Sequence, residues 1–322
     1  MKVCILGSGA YGLALGSIFS RNKHNVVMWT FSKEEEKLLK LKRESSKLPG
    51  YIIPDNIKIT SSIKRALNKS NLVVIAVPAF AVDSTSKLIS KFITKDMHIL
   101  IATKGIENDT CDFLTDVVER YINSNKIAVI SGPTFARDIV LNVPVGLSLA
   151  TTNVRTKNFI KKAMESDIVK LRDTQDVIGV QICGAIKNVM AIASGILDGM
   201  NVTDSTKALF LTESLNDIKE LIDALGGNKK TILSFSGFGD ILMTCTSTNS
   251  RNFSYGHLIG EGKLEEAKIY GENTTVEGLY TLKSIKELIK REHVKMPIVD
   301  LISDIIIGNK NKEEILRFLI EK

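Results

Sequence analysis

The chain has 322 residues, 44% of them hydrophobic and 25% charged, which is the composition of an ordinary globular protein long enough to divide into two domains. Lys and Arg outnumber Asp and Glu by 43 to 36, a net +7 that suits anionic partners. The lysines are scattered and Trp29 is the sole tryptophan, so small phosphorylated metabolites fit better than nucleic acid. Cys4, Cys111, Cys183 and Cys245 lie far apart, three of them in apolar segments, indicating neither a metal site nor a disulfide framework; a reducing cytoplasm is the expected setting. The apolar start at Met1 to Leu6 is cut short by Gly7, Ser8 and Gly9, and no later run approaches the ~20 residues needed to span a bilayer, so no integral membrane segment is expected.

In chain order, Val3 to Leu6 reads as a strand, Gly7-Ser-Gly9-Ala-Tyr-Gly12 as a turn, Leu13 to Phe19 as a helix and Asn25 to Trp29 as a second strand. That order gives the glycines distinct tasks: Gly7 for the tight turn, Gly9 for room beside a pyrophosphate, Gly12 for close packing of helix on strand. The alternative is a glycine-rich turn without a ligand. An NAD-selective site usually places an acid at the end of the second strand for the ribose 2′-hydroxyl. Here Thr30, Phe31, Ser32 and Lys33 precede the first acid, Glu34, so the expectation leans weakly to NADP(H). Residues 33–47 read as a solvated helix with loops, followed by turns at Pro49-Gly50 and Pro54-Asp55.

Asn71 to Val77 is a buried-type strand closed by Pro78, with its carboxyl end toward the cofactor, and His98 to Thr103 repeats the device before Lys104-Gly105. Lys104 therefore sits at the sheet edge where open α/β folds bind ligands, or is an exposed loop lysine. Ile127 to Ser131 leads into Gly132-Pro133-Thr134-Phe135-Ala136, whose free N–H groups suit anionic or carbonyl oxygens. Strands over 144–150 and 168–171, separated by a helix over 155–164, bring the doubly wound sheet to about seven strands.

Beyond Asp176 the pattern is helical only. The expected architecture is α/β, a Rossmann-type dinucleotide-binding domain over 1–177 followed by an all-helical substrate-binding and catalytic domain over 178–322. In the first helix of that half, Lys187 and Asn188 stand within an apolar, small-residue run, with Gln181, Gly184, Ala191 and Gly195 on the same side. Small residues there admit another backbone or a ligand. Lys187 is then either a desolvated proton-transfer group or a lysine that snorkels to the surface. Further on, Ser205 to Leu225 is a helix, and Ser236-Gly-Phe-Gly239-Asp240 opens another on which Asp240 and Thr244 share a face. A polar loop then delivers Ser250-Arg251-Asn252, a fork and an amide suited to phosphate. Asp240 as a helix cap and Arg251 as a surface arginine are the plainer readings.

Six blocks in order, Gly7 to Gly12, Ala102 to Gly105, Ser131 to Ala136, Ile178 to Asn188, Gly237 to Asp240 with Thr244-Cys-Thr, and Ser250 to Asn252, resemble the bacterial NAD(P)-dependent glycerol-3-phosphate dehydrogenases over nearly the whole chain. The resemblance implies reversible hydride transfer between NAD(P)H and dihydroxyacetone phosphate, giving sn-glycerol 3-phosphate for phospholipid synthesis, with a homodimer and no metal. It makes Lys187 the proton-transfer residue, with Lys104 and Asp240 as its catalytic partners. Gly132, Thr134, Thr244, Ser250, Arg251 and Asn252 would join them around the substrate. The dinucleotide would meet Gly7, Gly9, Ala10, Tyr11, Gly12, Phe31, Pro78, Lys104, Ala136, Arg251 and Glu277. The chain departs from the pattern at Glu213-Ser214, where the family commonly carries Arg-Gly, a charge reversal expected to alter a helix–helix or dimer contact. Two other readings fit the same plan: a related β-hydroxyacid-type dehydrogenase, and a catalytically silent dinucleotide-binding regulator.

Overall fold

The computed structural model describes residues 1–321. The chain divides into two compact units, one made of residues 1–107 and 113–177, the other of residues 108–112 and 178–322. The first unit is a sheet of eight strands: β1 (Lys2–Leu6), β2 (Asn25–Trp29), β3 (Ile57–Thr60), β4 (Leu72–Ile75), β5 (His98–Ile101), β6 (Ile127–Ser131), β7 (Val145–Ala150) and β8 (Val169–Thr174). Their spatial order is β3-β2-β1-β4-β5-β6-β7-β8, parallel throughout except at the antiparallel β6–β7 pair. The helices of this unit are α1 (Ala10–Arg21), α2 (Lys33–Lys42), α3 (Ile63–Leu67), α4 (Val82–Ile89), α5 (Leu114–Glu119), α6 (Ala136–Val140) and α7 (Val154–Met164).

Strands β4, β5 and β6 are buried along their whole length, as parallel strands covered on both faces must be, which is why they read as unbroken apolar runs. The strand β3, absent from the sequence reading, brings the count from seven to eight. It has four residues, lies at the sheet edge beside β2 alone, and its Ile-Lys-Ile-Thr carries a single alternation, too short a signal to separate from the turns before it. At the other side of β2, strand β1 is flanked by β2 and β4, so the winding reverses between β1 and β4, the position where open α/β sheets form a ligand crevice.

The helix α2 is almost wholly solvated, with Leu39 its one buried residue, and is held by its ends. Ser32 caps it, three glutamates occupy its first turn and Lys40 and Lys42 its last, each sign complementing the helix dipole. Glu36 ties the helix to the end of β3, accepting from Ser61 N at 2.7 Å and Ser61 Oγ at 2.6 Å, while Lys40 Nζ lies 2.6 Å from its other oxygen. The hydrogen bonds from Lys40 and Ser61 lower its pKa to about 2.

The second unit contains α8 (Val177–Gly199), α9 (Asp204–Ala224), α10 (Asp240–Cys245), α11 (Arg251–Gly260), α12 (Leu264–Asn273), α13 (Glu277–Arg291), α14 (Pro297–Ile306) and α15 (Glu314–Glu321). Residues 108–112 join it through Arg291, which donates to Thr110 O at 3.2 Å, and through Ser284 Oγ, which donates to Asn108 Oδ1 at 3.1 Å. The 23-residue α8 is buried on all sides rather than amphipathic. With a mean hydropathy of 1.6 it is long and apolar enough to cross a bilayer, which corrects the expectation that no run reaches that length. Yet 89% of its most apolar window is buried within the protein, the property of a core helix.

Glycines set how closely α8 meets α11. A Cβ on Gly195 or Gly199 would come within 2.1 Å of Phe253 O or 2.2 Å of His257 O, and one on Gly256 or Gly260 within 2.0 Å of Ile192 O or 2.2 Å of Ile196 O. Two small-residue faces, each with glycine every fourth position, are thus pressed backbone to backbone. Of the two occupants that the small residues of α8 admitted, the structure supplies a neighbouring backbone at Gly195 and Gly199. The reversed pair of the sequence falls inside α9, where Ser214 is buried with its Oγ lacking a hydrogen-bond partner.

Alanine is a better helix former than glycine by about 1 kcal/mol, so Gly256→Ala on an isolated α11 would stabilise. Here the added methyl meets backbone, and the variant is expected to lose about 1–3 kcal/mol in urea unfolding. A second expectation concerns Glu36. Because its folded-state pKa lies below the ordinary carboxyl value of 4.5, its contribution is present above that value and lost as pH falls through about 2. Glu36→Gln should therefore lower Tm at pH 7, with the difference from wild type shrinking in scans at successively lower pH.

Candidate active site

The polar groups singled out by sequence lie in three clusters, one in the sheet unit and two in the helical unit. In the sheet unit the turn from β1 into α1 has the geometry a dinucleotide phosphate requires. Gly7 is in the left-handed region at φ 117°, its N donating to Trp29 O at 3.0 Å, and a Cβ there would sit 2.5 Å from Ala76 O. A Cβ on Gly12 would collide with Gly7 O at 2.2 Å, whereas one on Gly9 would meet nothing within 4 Å. Gly7 and Gly12 are therefore glycines because the fold is crowded, and Gly9 faces open space that a side chain would fill. Gly9 caps α1 without any side-chain hydrogen bond and the first turn holds no acid, so the helix presents its N–H groups at Ala10, Tyr11 and Gly12 to an anion. These features fit a dinucleotide pyrophosphate.

Around that turn stand the carboxyl ends of β4, β5 and β6. Thr103 Oγ1 donates to Val77 O at 2.7 Å, pinning the segment after β5 to the one that ends in the exposed Pro78. Lys104, half-buried, donates to Gly132 O at 3.1 Å and lies 5.9 Å from the centre of the Tyr11 ring. Tyr11 Oη and Thr134 Oγ1 are 3.2 Å apart, and Ala136 opens α6 immediately after. Lys104, Gly132, Thr134 and Tyr11, spread over 124 positions of sequence, thus form one group, and Lys104 is no free loop lysine. At the end of β2, Phe31 is 88% exposed and sets its ring edge-on to Trp29, a flat apolar surface at the sheet edge.

In the helical unit Lys187 and Asp240 are 7% and 0% exposed. Their charged atoms are 2.9 Å apart, and Lys187 Nζ also donates to Thr244 Oγ1 at 2.8 Å. Thr244 Oγ1 in turn donates to Asp240 O at 2.6 Å, one helical turn back. The ammonium is fixed by a carboxylate and a hydroxyl delivered together by α10, and the snorkelling alternative for Lys187 is excluded by its burial. Asp240 stands in the first turn of α10 because Phe235–Gly239 forms a wide turn broken at Gly237, which has non-helical angles and lies so close to Ile232 O that a Cβ would be 2.2 Å away. Asp240 is thus a buried counter-ion rather than a helix cap. Next to it, burial pushes the Cys245 thiol up to about 12, Asp240 adding to the effect and Lys187 opposing it, so the sulfur stays protonated.

The loop before α11 delivers the third group. Ser250 Oγ caps that helix at Phe253 N, 3.3 Å away, and Arg251 is exposed at its first turn. Asn252, read from sequence as a phosphate ligand, is buried and tied: its Nδ2 donates to Asn188 Oδ1 at 3.0 Å and its Oδ1 accepts from Gly278 N at 2.8 Å. This amide link joins α8, α11 and the start of α13, and it gives Asn188, to which sequence assigned no role, a defined one. Burial raises the pKa of Glu277, with Arg251 opposing the shift, so the two face one another electrostatically.

Sequence reasoning missed one residue near the nucleotide turn. Glu35 lies in the first turn of α2, and its carboxylate reaches back to Thr30 Oγ1 at the end of β2. The only signal was a threonine five positions earlier, which no periodic pattern would single out.

Residues 2–157 match the model of the NAD-dependent glycerol-3-phosphate dehydrogenase N-terminus, and residues 176–317 the model of the C-terminus of the same family. Among curated proteins, the glycerol-3-phosphate dehydrogenase (NAD(P)+) of Fusobacterium nucleatum is 34% identical, with 99% of this chain and 96% of that protein aligned. The enzyme of the same name from Thermoanaerobacter sp. is also 34% identical, over 100% of this chain and 97% of its own. Among solved structures, glycerol-3-phosphate dehydrogenase from Coxiella burnetii superposes with a TM-score of 0.93 at 28% identity, covering 100% of this chain and 99% of that one. With both halves of the model matched in order and relatives aligned end to end, this chain belongs to the NAD-dependent glycerol-3-phosphate dehydrogenase family.

Proposed function

We propose that this protein is an NAD(P)-dependent glycerol-3-phosphate dehydrogenase that reversibly reduces dihydroxyacetone phosphate to sn-glycerol 3-phosphate, supplying glycerophospholipid synthesis. The observation that carries the reading is the buried ammonium of Lys187, held between Asp240 and Thr244. Bound NAD(P)H supplies the hydride. Gly7, Gly9, Ala10, Tyr11 and Gly12 at the start of α1 would hold its pyrophosphate, and Phe31, Pro78, Lys104, Ala136, Arg251 and Glu277 would be the remaining nucleotide contacts.

As the carbonyl carbon of the substrate accepts the hydride, its oxygen gains the electron pair of the broken C=O π bond, and Lys187 Nζ delivers the proton that makes it a hydroxyl. In the reverse direction neutral Lys187 takes that proton. A positioned acid or base of this kind contributes on the order of 10²- to 10⁴-fold. Asp240 keeps the ammonium in place and favours its charged form, while burial disfavours it, so the two effects oppose one another at one nitrogen. Lys104 polarises the substrate carbonyl with Gly132 and Thr134 beside it, and Arg251 takes the phosphate from the start of α11, where Ser250 and Asn252 hold the loop in place.

A homodimer in the cytoplasm belongs to the same proposal. The exposed apolar side chains of Leu233, Phe238 and Leu242 support a covered surface, and four buried cysteines outside any disulfide suit a reducing compartment.

Lys187→Met alone would remove the counter-ion of the fully buried Asp240, which costs about 3–5 kcal/mol. The informative variant is therefore Lys187→Met with Asp240→Asn. It is expected to bind NADH with near-normal Kd in calorimetric titration while kcat falls at least about 10²-fold; near-normal turnover would refute proton transfer by Lys187. Arg251→Ala is expected to raise KM for dihydroxyacetone phosphate while leaving the weak reaction of unphosphorylated dihydroxyacetone unchanged. Equal wild-type kcat/KM for those two ketones would eliminate the phosphate clamp and favour a dehydrogenase of another substrate class, and nucleotide binding without turnover would indicate the silent regulator.

A further inference from the structure

The end of β2 carries no acid at the position where a ribose ligand is usually found, which is what favoured NADP(H) on sequence grounds. The folded chain fills that place from the next element. Glu35 stands in the first turn of α2, and its Oε2 accepts a hydrogen bond from Thr30 Oγ1, the fully buried residue that directly follows β2. Lys47 Nζ holds the other oxygen of the same carboxylate, Oε1, at 2.6 Å. Gly7 N bonds Trp29 O, so the turn and the end of β2 are physically joined where these groups meet. The neighbouring Glu34 does not compete for the role: its Oε2 accepts from Ser32 Oγ at 2.8 Å and the residue is exposed. Although burial pushes the Glu35 carboxyl up, its hydrogen bonds to Lys47 and Thr30 outweigh that and bring its pKa below the ordinary value, so it is ionised at neutral pH.

We infer that Glu35 determines nucleotide choice in this protein, its carboxylate accepting from the 2′-hydroxyl of the adenosine ribose and repelling a 2′-phosphate, so that NADH is the preferred cofactor. Thr30 is the positioning residue that aims it. A carboxylate has about four lone-pair sites, enough for the Thr30 and Lys47 donors and a ribose hydroxyl. A 2′-phosphate brings no proton to share at neutral pH and places like charges in contact, which is discrimination by repulsion as well as by attraction. The cation beside it does not cancel this field. Lys47 Nζ is 2.6 Å from Glu35 Oε1, the lysine side chain 53% and the glutamate 24% exposed, so water screens the cation on its open side while it holds one oxygen of the carboxylate.

The inference rests on the β1–α1 turn being the dinucleotide site, and the test separates the two. NADH and NADPH are titrated calorimetrically against wild type and Glu35→Gln without substrate, so the outcome does not depend on which ketone is reduced. Wild type should bind NADH at least about tenfold more tightly than NADPH, the range for a hydrogen bond to a charged group. In Glu35→Gln that ratio should fall to about one, NADH weakening and NADPH tightening. Should that variant fail to fold by circular dichroism, Glu35→Asp, which keeps the charge on a shorter arm, should weaken NADH binding and still exclude NADPH. Lys47→Ala should leave the preference unchanged. A wild type that prefers NADPH, an equal effect of Glu35→Gln on both nucleotides, or a selective loss of NADPH binding in Lys47→Ala would each overturn the assignment. If neither nucleotide binds, the dinucleotide site itself is wrong; binding with this preference but no turnover of dihydroxyacetone phosphate would leave Glu35 in its role and remove the substrate reading instead.

Discussion

A charged nitrogen inside an apolar helix is the constraint around which the helical unit is arranged. Lys187 lies in a 23-residue helix that is buried on all sides, and an isolated ammonium there would be prohibitively costly unless it were paired or neutralised. Asp240 and Thr244 meet that demand together because both come from α10, one turn apart on the same face. Placing Asp240 there requires the broken turn at Gly237, which no side chain larger than hydrogen could make against Ile232. The same helix must also be covered along its length. Reciprocal glycines on α8 and α11 let the two backbones touch, and the amide of Asn252 stitches α11 to Asn188 and to the start of α13. Arg251 follows Ser250 and precedes Asn252, so the residue assigned to the substrate phosphate is carried on a segment that the packing of α8 holds fixed.

The sheet unit solves a different problem, that of leaving space. Its core strands are buried on both faces and tolerate no gap, yet the turn after β1 has one, at Gly9, where a side chain would meet nothing. The gap lies where the winding of the sheet reverses between β1 and β4, so the helix dipole of α1, the open space and the carboxyl ends of the neighbouring strands coincide. Lys104, Tyr11, Gly132 and Thr134 come from three separate segments and form one polar group because each segment lies at the carboxyl end of a strand at that edge. Glu35, the residue inferred to choose the nucleotide, follows the same logic: its carboxylate is held beside the end of β2 by Thr30, although it belongs to α2.

By itself the sequence determined everything that rests on local chemistry. Periodicity marked the buried strands and the long helices, because burial on two faces leaves an unbroken apolar run. The glycine turn was legible because tight turns and close approaches admit one residue type, and the order of six short blocks carried the family. It did not reveal β3, whose four residues offer one alternation and take their conformation from β2. It also could not say whether the glycines of α8 served a ligand or a neighbour, since a missing side chain looks the same in either case. Only the tertiary structure decided that Gly195 and Gly199 meet α11, that Asn252 is first a link between helices, and that the carboxylate at the end of β2 is supplied by Glu35. In each case the deciding partner lies on another element, from five to some sixty positions away, and pairings of that kind leave no trace in local composition or period.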